Sequence, residues 1–123
     1  MASSPLPDAL KAAFGDALRR DVPLAPHTTF KLGGTADWYV APRSADALAR
    51  ALRLAREHNV PFFLLGTGAN VIVGDRGVRG LVIHNRARHT TLDREAGRLR
   101  AEGGALMYPD LIETAVSAGL SGL

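Results

Sequence analysis

Two glycines separated by one residue, Gly66 and Gly68, mark the segment of this sequence best suited to binding chemistry. Glycine has no Cβ, so the backbone can turn sharply and bring its N–H groups close to a ligand. Several N–H groups that converge in this way form an anion-binding concavity suited to a pyrophosphate. Asn70 can adopt a left-handed conformation or donate its amide to a phosphate oxygen. An isolated Gly-x-Gly is also typical of a simple tight connection between two strands.

The two best-known phosphate motifs are absent from this segment. A Rossmann fingerprint requires a third glycine three residues after the second, and Val71 occupies that position. A P-loop requires Gly-Lys followed by serine or threonine, which does not occur here. We therefore predict a loop between strands that binds phosphate without a helix dipole behind it.

A β-α-β pattern precedes the loop and positions it. The residues from Ala36 to Val40 are typical of a strand, and Pro42 ends it. Ser44 is placed to cap a helix that continues to about His58. The continuous apolar run from Val60 to Leu65 then predicts a strand buried on both faces.

Shorter strands and one more helix follow the loop. A turn at Gly74 to Gly77 interrupts the first strands, and a turn closing at Gly97 joins a hairpin. The predicted strands are 71–73, 78–83, 90–92 and 98–102. A last helix begins at Pro109, and Gly119 ends it in a left-handed cap. The pattern predicts an α+β fold in which a β-α-β subdomain and an antiparallel, strand-rich subdomain share one site.

The first 27 residues form a separate N-terminal part in this interpretation. Asp8 can cap a short helix that carries Leu10, Phe14 and Leu18 on one face. The two prolines between Asp21 and Pro26 favour an extended arm.

Composition narrows the class of protein. A chain of 123 residues with 46% hydrophobic and 22% charged residues is typical of one globular domain or part of a larger protein. The sequence contains no cysteine, which excludes disulfides, thiolate–metal sites and iron–sulfur clusters. The N-terminal residues lack a secretory pattern, and the longest apolar run falls far short of the roughly 20 residues of a membrane helix. We predict a cytoplasmic protein with no membrane partner.

The net charge of +3 favours an anionic ligand. The arginines are spread along the chain and aromatic residues make up only 6%, so we predict no nucleic-acid partner.

Several polar side chains have simple structural explanations. The four histidines lack metal-ligand spacing, so we predict no metal site and interpret them as surface or loop residues; they are His27, His58, His84 and His89. Four arginines are interpreted as solvated residues of a loop and an outer strand face; they are Arg86, Arg88, Arg98 and Arg100. Asp93 and Glu95 flank a hairpin turn and are expected to be solvated. Tyr39 is interpreted as a core residue that could lie near a cofactor.

Ordered sequence blocks give the chain a family resemblance. The run Thr29-Phe30-Lys31-Leu32-Gly33-Gly34-Thr35-Ala36, followed about thirty residues later by Gly66-Thr67-Gly68-Ala69-Asn70, resembles UDP-N-acetylenolpyruvoylglucosamine reductases. The blocks 101–105 and 118–123 are also similar to that family. The likeness covers nearly all of the chain beyond residue 22. Ala69 departs from the pattern, because the family usually has serine there, and we expect weakened rather than abolished cofactor binding.

The resemblance implies a fold and a reaction. It implies the flavin fold of vanillyl-alcohol oxidase (PCMH-type), with FAD between two α+β subdomains, so residues 28–123 would form an FAD-binding domain that is incomplete at its C-terminal end. It also implies that NADPH reduces the flavin and that the flavin reduces the enolpyruvyl group of UDP-N-acetylglucosamine enolpyruvate, which gives UDP-N-acetylmuramate for peptidoglycan synthesis. The implied cofactor-binding residues are Leu65, Gly66, Thr67, Gly68, Ala69, Asn70, Val71, Gly103 and Gly104.

The catalytic serine, arginine and glutamate of the family have no counterparts up to Leu123, so we predict no catalytic residue in this chain and no turnover by the chain alone. Two alternatives remain open: another flavin oxidase or dehydrogenase of the same fold, and a non-catalytic module that holds FAD or another diphosphate. We also expect the chain to associate with another copy, because an uncovered domain surface would be apolar.

Overall fold

The computed structural model describes residues 5–123, and these residues form a four-stranded sheet, a separate two-stranded hairpin and three short helices. The helices are α1 (Asp8–Phe14), α2 (Ala45–Glu57) and α3 (Ile112–Ser117). The strands are β1 (Arg19–Pro23), β2 (Thr35–Val40), β3 (Phe62–Leu65), β4 (Val78–His84), β5 (Thr90–Asp93) and β6 (Arg98–Ala101). The predicted β-α-β unit and the antiparallel hairpin after it are both present. No helix within residues 5–123 is long and apolar enough to cross a membrane.

The strands of the larger sheet lie in the order β1-β2-β4-β3. β1 is antiparallel to β2, whereas β4 is parallel to both of its neighbours. In the parallel ladders Leu81 of β4 lies opposite Trp38 on one side and Phe62 on the other. The middle strand of the parallel part is therefore the last of the three in the chain.

Both faces of β4 are covered, because its side chains alternate between two apolar clusters. The cluster on the α1 and α2 side contains Leu6, Leu10, Val40, Ala51, Ala55, Leu81 and Ile83. The cluster on the opposite face contains Val22, Leu24, Ala36, Tyr39, Leu65 and Val82. A strand buried on both faces reads as a continuous apolar run, and Leu81-Val82-Ile83 fits this pattern.

The prediction that the run ending at Leu65 is buried on both faces is wrong. Phe62 and Phe63 are each 39% exposed and Leu64 is 46% exposed, because β3 is an edge strand. An apolar run predicts a strand but carries no information on which strand pairs with both neighbours. β4 takes the central position instead.

The predicted strand at 71–73 is also wrong, since these residues lie in irregular structure. Val71 and Val73 pack against the second cluster, so their apolar character serves side-chain packing rather than strand pairing. The turn that follows is present as predicted, with the Gly77 N–H donating to the Gly74 carbonyl over 2.9 Å.

The N-terminal residues differ from the prediction in detail. Asp8 is the first residue of α1 and not its cap; Pro7 holds the cap position, and the Asp8 carboxylate instead accepts a hydrogen bond from Lys11 at 3.0 Å. Leu18 lies outside the helix, which ends at Phe14, although both side chains pack against the first cluster. The predicted extended arm is confirmed only up to Pro23, where strand β1 pairs with β2; Ala25–His27 instead form a 3-10 turn. The first four residues of the predicted N-terminal part lie outside the described residues.

The signals for the remaining elements are confirmed. The Ser44 hydroxyl accepts a hydrogen bond from the Ala47 N–H at 3.1 Å, and α2 ends before His58. Gly97 and Gly119 both have positive φ, at the hairpin turn and after α3. The segment Met107–Leu111 leads into α3 through a kink at Tyr108, whose backbone is extended (φ −121°, ψ 131°).

Glu102 connects the hairpin subdomain to the β-α-β subdomain. One carboxylate oxygen accepts from the Ala45 N–H at the start of α2 (3.2 Å), and the other accepts from the His89 N–H (2.7 Å). An acidic group is also favoured at this position by the positive end of the helix dipole. The hairpin is thereby attached near the ends of the central strands, where the loops of the candidate site lie.

Candidate functional site

A cavity of about 200 Å³ opens where β3 and β4 end. Leu65 and His84 are paired at the ends of these parallel strands, so the segments that follow them diverge from one point. Ligands of open α/β sheets bind in such crevices, beyond the carboxyl ends of parallel strands. Residues lining the cavity include Gly66, Thr67, His84, Arg86, Arg88 and Gly104.

The two glycines of the loop serve different purposes. Gly68 is buried and has a positive φ of 74°, and a Cβ there would collide with the His27 carbonyl oxygen. Its own carbonyl accepts from the Thr29 N–H at 3.0 Å. Gly66 has nothing within 4 Å of the position of a Cβ and borders the cavity. Gly68 therefore permits close packing against residues 27–29, whereas Gly66 leaves backbone accessible to a ligand.

The structure brings three of the nine sequence-predicted cofactor residues to the cavity: Gly66, Thr67 and Gly104. Leu65 and Gly68 are buried, whereas Ala69, Asn70 and Val71 continue the loop away from the lining. The N–H of Gly104 donates to the Ala87 carbonyl at 2.8 Å, and a Cβ would lie only 2.6 Å from that oxygen. Gly103 lies beside the Asn85 amide, where a Cβ would be 3.2 Å from Nδ2.

Three rings pack together at the cavity. The Tyr39 hydroxyl lies 2.6 Å from Nδ1 of His84, and the His27 ring stacks on Tyr39 with centroids 5.2 Å apart. The interpretation of His84 as a surface or loop residue is wrong, since it ends β4 and is 6% exposed. The sequence feature that could have indicated this burial is the position of His84 at the end of an apolar run. Tyr39 is a core residue as predicted, and its hydroxyl reaches the cavity wall through His84.

All three rings are uncharged at neutral pH. Burial, with Arg86 and His27 nearby, lowers the pKa of His84 to about 4. Burial and the charges of Arg19, Arg86 and Lys31 also lower the pKa of His27. Burial raises the pKa of Tyr39, although the Arg86 and Arg19 charges act in the opposite direction.

The ring of His84 lies between the core and the loop. Its Nδ1 is within hydrogen-bond distance of the Tyr39 hydroxyl. The Gly66 backbone beside the ring acts to raise the pKa of His84, against the larger effect of burial. Tyr39 and His84 therefore link β2 to the end of β4, where the loop lies.

Two arginines provide positive charge at the cavity, so the interpretation of Arg86 and Arg88 as merely solvated is wrong. Arg88 donates two hydrogen bonds of 2.8 Å to the Asp110 carboxylate, which also accepts from the Leu106 N–H at 2.8 Å. The hydrogen bonds from Arg88 and Leu106 lower the pKa of Asp110. Arg98 and Arg100 are exposed on β6, as predicted.

Arg86 differs from Arg88 in its surroundings. Within residues 5–123, no carboxylate lies within 4 Å of its guanidinium. The same part of the chain contains no group of three or more His, Asp or Glu side chains arranged to hold a metal ion. The cavity therefore combines accessible backbone, neutral rings and arginine charge, which is an environment for an anion.

Comparison with known proteins decides the family. A family model described as "FAD binding domain" matches residues 36–121. The chain belongs to this FAD-binding domain family. The match begins in β2, extends beyond α3 and includes both the Gly66 loop and the cavity-lining residues of 84–106.

Relatives of this FAD-binding domain are similar over most or all of the chain. It is 36% identical over 123 residues to UDP-N-acetylenolpyruvoylglucosamine reductase of Carboxydothermus hydrogenoformans, covering 100% of this chain and 40% of that protein. It is 43% identical over 107 residues to the reductase of the same name from Rubrobacter xylanophilus, covering 87% and 36%. The domain thus spans about two fifths of the length of these relatives.

Solved structures confirm the predicted fold of the domain. It superposes on alkyldihydroxyacetonephosphate synthase with a TM-score of 0.69 at 24% identity, covering 95% of this chain and 26% of that one. It also superposes on p-cresol methylhydroxylase with a TM-score of 0.54 at 15% identity, covering 93% and 21%. At these identities the likeness concerns the fold alone, which is the predicted PCMH-type FAD-binding fold.

Proposed function

We propose that this FAD-binding domain is the cofactor-holding part of an NADPH-dependent reductase that converts UDP-N-acetylglucosamine enolpyruvate to UDP-N-acetylmuramate in peptidoglycan precursor synthesis. The observation that carries the proposal is the cavity formed by the Gly66 loop at the ends of β3 and β4, in a chain that matches an FAD-binding family and reductases of this name. We place the reaction in the cytoplasm, with the UDP-sugar as the substrate of the whole protein.

The cavity suits the diphosphate of FAD. Sites for a whole drug-sized ligand usually occupy roughly 300 to 1,000 Å³, so a cavity of about 200 Å³ fits one part of a dinucleotide. The backbone of Gly66 and Thr67 would hold this part, with Gly68 permitting the turn. The remaining cofactor contacts of this proposal flank the loop or follow the hairpin; they are Leu65, Ala69, Asn70, Val71, Gly103 and Gly104.

When bound, FAD supplies the acceptor and donor of the hydride that passes from NADPH to the substrate. This chain would contribute binding, orientation and electrostatics. Backbone hydrogen bonds from Thr29 to Gly68 and from Asn85 to Leu65 hold the loop in place, and the uncharged His27 and His84 rings place no additional proton charge beside it. The catalytic serine, arginine and glutamate would come from outside this chain.

A second part of the proposal concerns the exposed edge strand. Three consecutive large apolar residues, Phe62, Phe63 and Leu64, are partly exposed on β3. An exposed apolar edge with unpaired backbone groups is a template for association with another chain. We propose that the chain on its own associates with another copy through this edge.

Two measurements test the main proposal. The chain is purified in the presence of FAD and desalted, and the visible flavin absorbance of the protein fraction is recorded. The full-length protein is then mixed with NADPH and the enolpyruvyl nucleotide, and NADPH consumption is followed. We expect retained flavin in the first measurement and substrate-dependent consumption in the second.

The two alternative functions predict different outcomes of these measurements. Retained flavin without turnover by the full-length protein would favour another flavoenzyme of the same fold, which a panel of alcohol and phenol substrates would identify. Loss of flavin on desalting, together with retained binding of a diphosphate such as ADP, would favour a non-catalytic diphosphate module.

A further inference from the structure

We propose that Arg86 is a phosphate-contacting residue of this site and selects ligands that carry a diphosphate. The inference rests on the proposed FAD function and adds a residue to it that lies outside the Gly-x-Gly loop. Its basis is the fixed backbone of Arg86, the contrast with Arg88, and the closeness of its charge to the rings of the cavity.

The backbone that carries Arg86 is held on both sides. Its N–H donates to the Pro42 carbonyl at 2.9 Å, next to the end of β2. The preceding N–H, of Asn85, donates to the Leu65 carbonyl at 2.8 Å, and the Asn85 side chain accepts from the Ala87 N–H at 3.1 Å. The half-buried Arg86 therefore lines the cavity from a fixed backbone position beside the loop.

Arg88 lines the same cavity but its charge is already satisfied. Its paired hydrogen bonds to Asp110 match the geometry in which arginine binds a carboxylate most strongly. Within residues 5–123 the Arg86 guanidinium has no such carboxylate. A planar guanidinium donates two parallel hydrogen bonds to a phosphate as readily as to a carboxylate. Of these two arginines, Arg86 is the one available to an incoming anion.

The charge of Arg86 acts on every ring of the cavity. It contributes to lowering the pKa of both His27 and His84, and it opposes the rise in the pKa of Tyr39. An anion that pairs with Arg86 would cancel this effect, so the pKa of His27 should rise when a diphosphate binds. This gives a readout of anion binding that does not depend on the flavin.

The first test compares FAD with riboflavin, which has the same ring system but no phosphate. For Arg86→Ala we expect FAD affinity to fall about 10- to 100-fold, the loss typical of one charge-assisted interaction, while riboflavin affinity is unchanged. The matched control is Arg100→Ala, which removes an exposed arginine from β6 and should change neither affinity. Circular dichroism establishes that both variants are folded.

The second test uses inorganic pyrophosphate and the imidazole resonances of His27 and His84 in NMR titrations. We expect pyrophosphate to raise the pKa of His27 in the parent chain and in Arg100→Ala, but not in Arg86→Ala. Equal FAD affinity in parent and Arg86→Ala, or equal losses for FAD and riboflavin, would overturn the assignment while leaving the FAD function intact. If the parent chain binds no FAD, the proposed function fails, and the pyrophosphate titration still decides the role of Arg86.

Discussion

The hydroxyl of Tyr39 and Nδ1 of His84 lie 2.6 Å apart, although the two residues are 45 positions apart in sequence. Tyr39 belongs to β2 and the second apolar cluster, and His84 ends β4 beside the candidate site. The N–H of Asn85, which follows His84, donates to the Leu65 carbonyl at the start of the loop, so the position of the loop depends on the core. The conformation of the loop is thus set by tertiary contacts as well as by its glycines.

Removing the Tyr39 hydroxyl should destabilise the chain and weaken FAD binding together. In Tyr39→Phe, the buried Nδ1 of His84 loses its hydrogen-bond partner, which typically costs about 1 to 3 kcal/mol of unfolding free energy. Urea unfolding and flavin titration measure the two effects. The matched control is Tyr108→Phe, since Tyr108 is 66% exposed, and it should leave both unchanged. Unaltered stability of Tyr39→Phe would show that the hydrogen bond contributes nothing.

Acid should destabilise the chain through His84. Its pKa falls from 6.5 in the unfolded chain to about 4 in the fold, so between these values the unfolded state binds more protons. The contribution of the uncharged His84 to the free energy of unfolding is therefore fully present above pH 6.5 and is lost as the pH falls towards 4. Between about pH 7.5 and about pH 5 the loss from this group should be about 2 kcal/mol.

Urea unfolding at the two pH values measures this loss, and the control is His84→Gln, which cannot titrate. The variant should be less stable at both pH values but should lose less stability between them. His27 acts in the same direction, because its pKa is also lowered. An identical pH dependence in parent and variant would contradict the role of His84.

Alanine substitutions of the two loop glycines should have different effects: Gly68→Ala should reduce stability, and Gly66→Ala should weaken FAD binding. Gly68→Ala places a Cβ against the His27 carbonyl oxygen at a positive φ, so we expect a loss of about 2 kcal/mol or more. Gly66→Ala meets no atom within 4 Å and should change stability by less than about 1 kcal/mol, but should weaken FAD binding because the Cβ borders the cavity. Thermal unfolding and flavin titration distinguish the two. The reverse pattern would contradict the roles assigned to these glycines.

A charge on the edge strand should reduce self-association. Lysine on an edge strand disfavours pairing with another chain, so Leu64→Lys should shift sedimentation towards the monomer. The control is Ile72→Lys, which adds the same charge at a residue that is 73% exposed and lies outside any strand. A parent chain that sediments as a monomer at all concentrations would refute the proposed interface.

Elements with local signals could be predicted from the sequence. The Ser44 cap, the β2 strand and the glycine after α3 depend on neighbouring residues and agree with the structure. The burial of β3 could not be predicted, because it depends on β4 inserting between β2 and β3. Val71 and Val73 pack against the second cluster without strand pairing, and an apolar run looks the same in the sequence whether or not it pairs.

In the candidate site, too, some residues could be identified from the sequence and others only from the tertiary structure. Gly66 and Gly68 could be identified as a loop from two neighbouring positions, whereas the pairing of Tyr39 with His84 requires the register of β2 against β4. The difference between Arg86 and Arg88 depends on Asp110, which lies 22 residues beyond Arg88. The sequence shows five arginines between 86 and 100 and does not indicate which of the two at the cavity pairs with a carboxylate.

The order of the strands has a consequence for the synthesis of this domain on the ribosome. Because β4 lies between β2 and β3 but follows both in the chain, these two strands have no shared partner until residues 78–84 have been synthesised. Residues 66–77 connect β3 to β4, so both ends of this loop are anchored in the sheet only when β4 is in place. The cavity also takes lining residues from after β4, including Arg86 and Gly104, so an anion site of this form requires chain beyond His84.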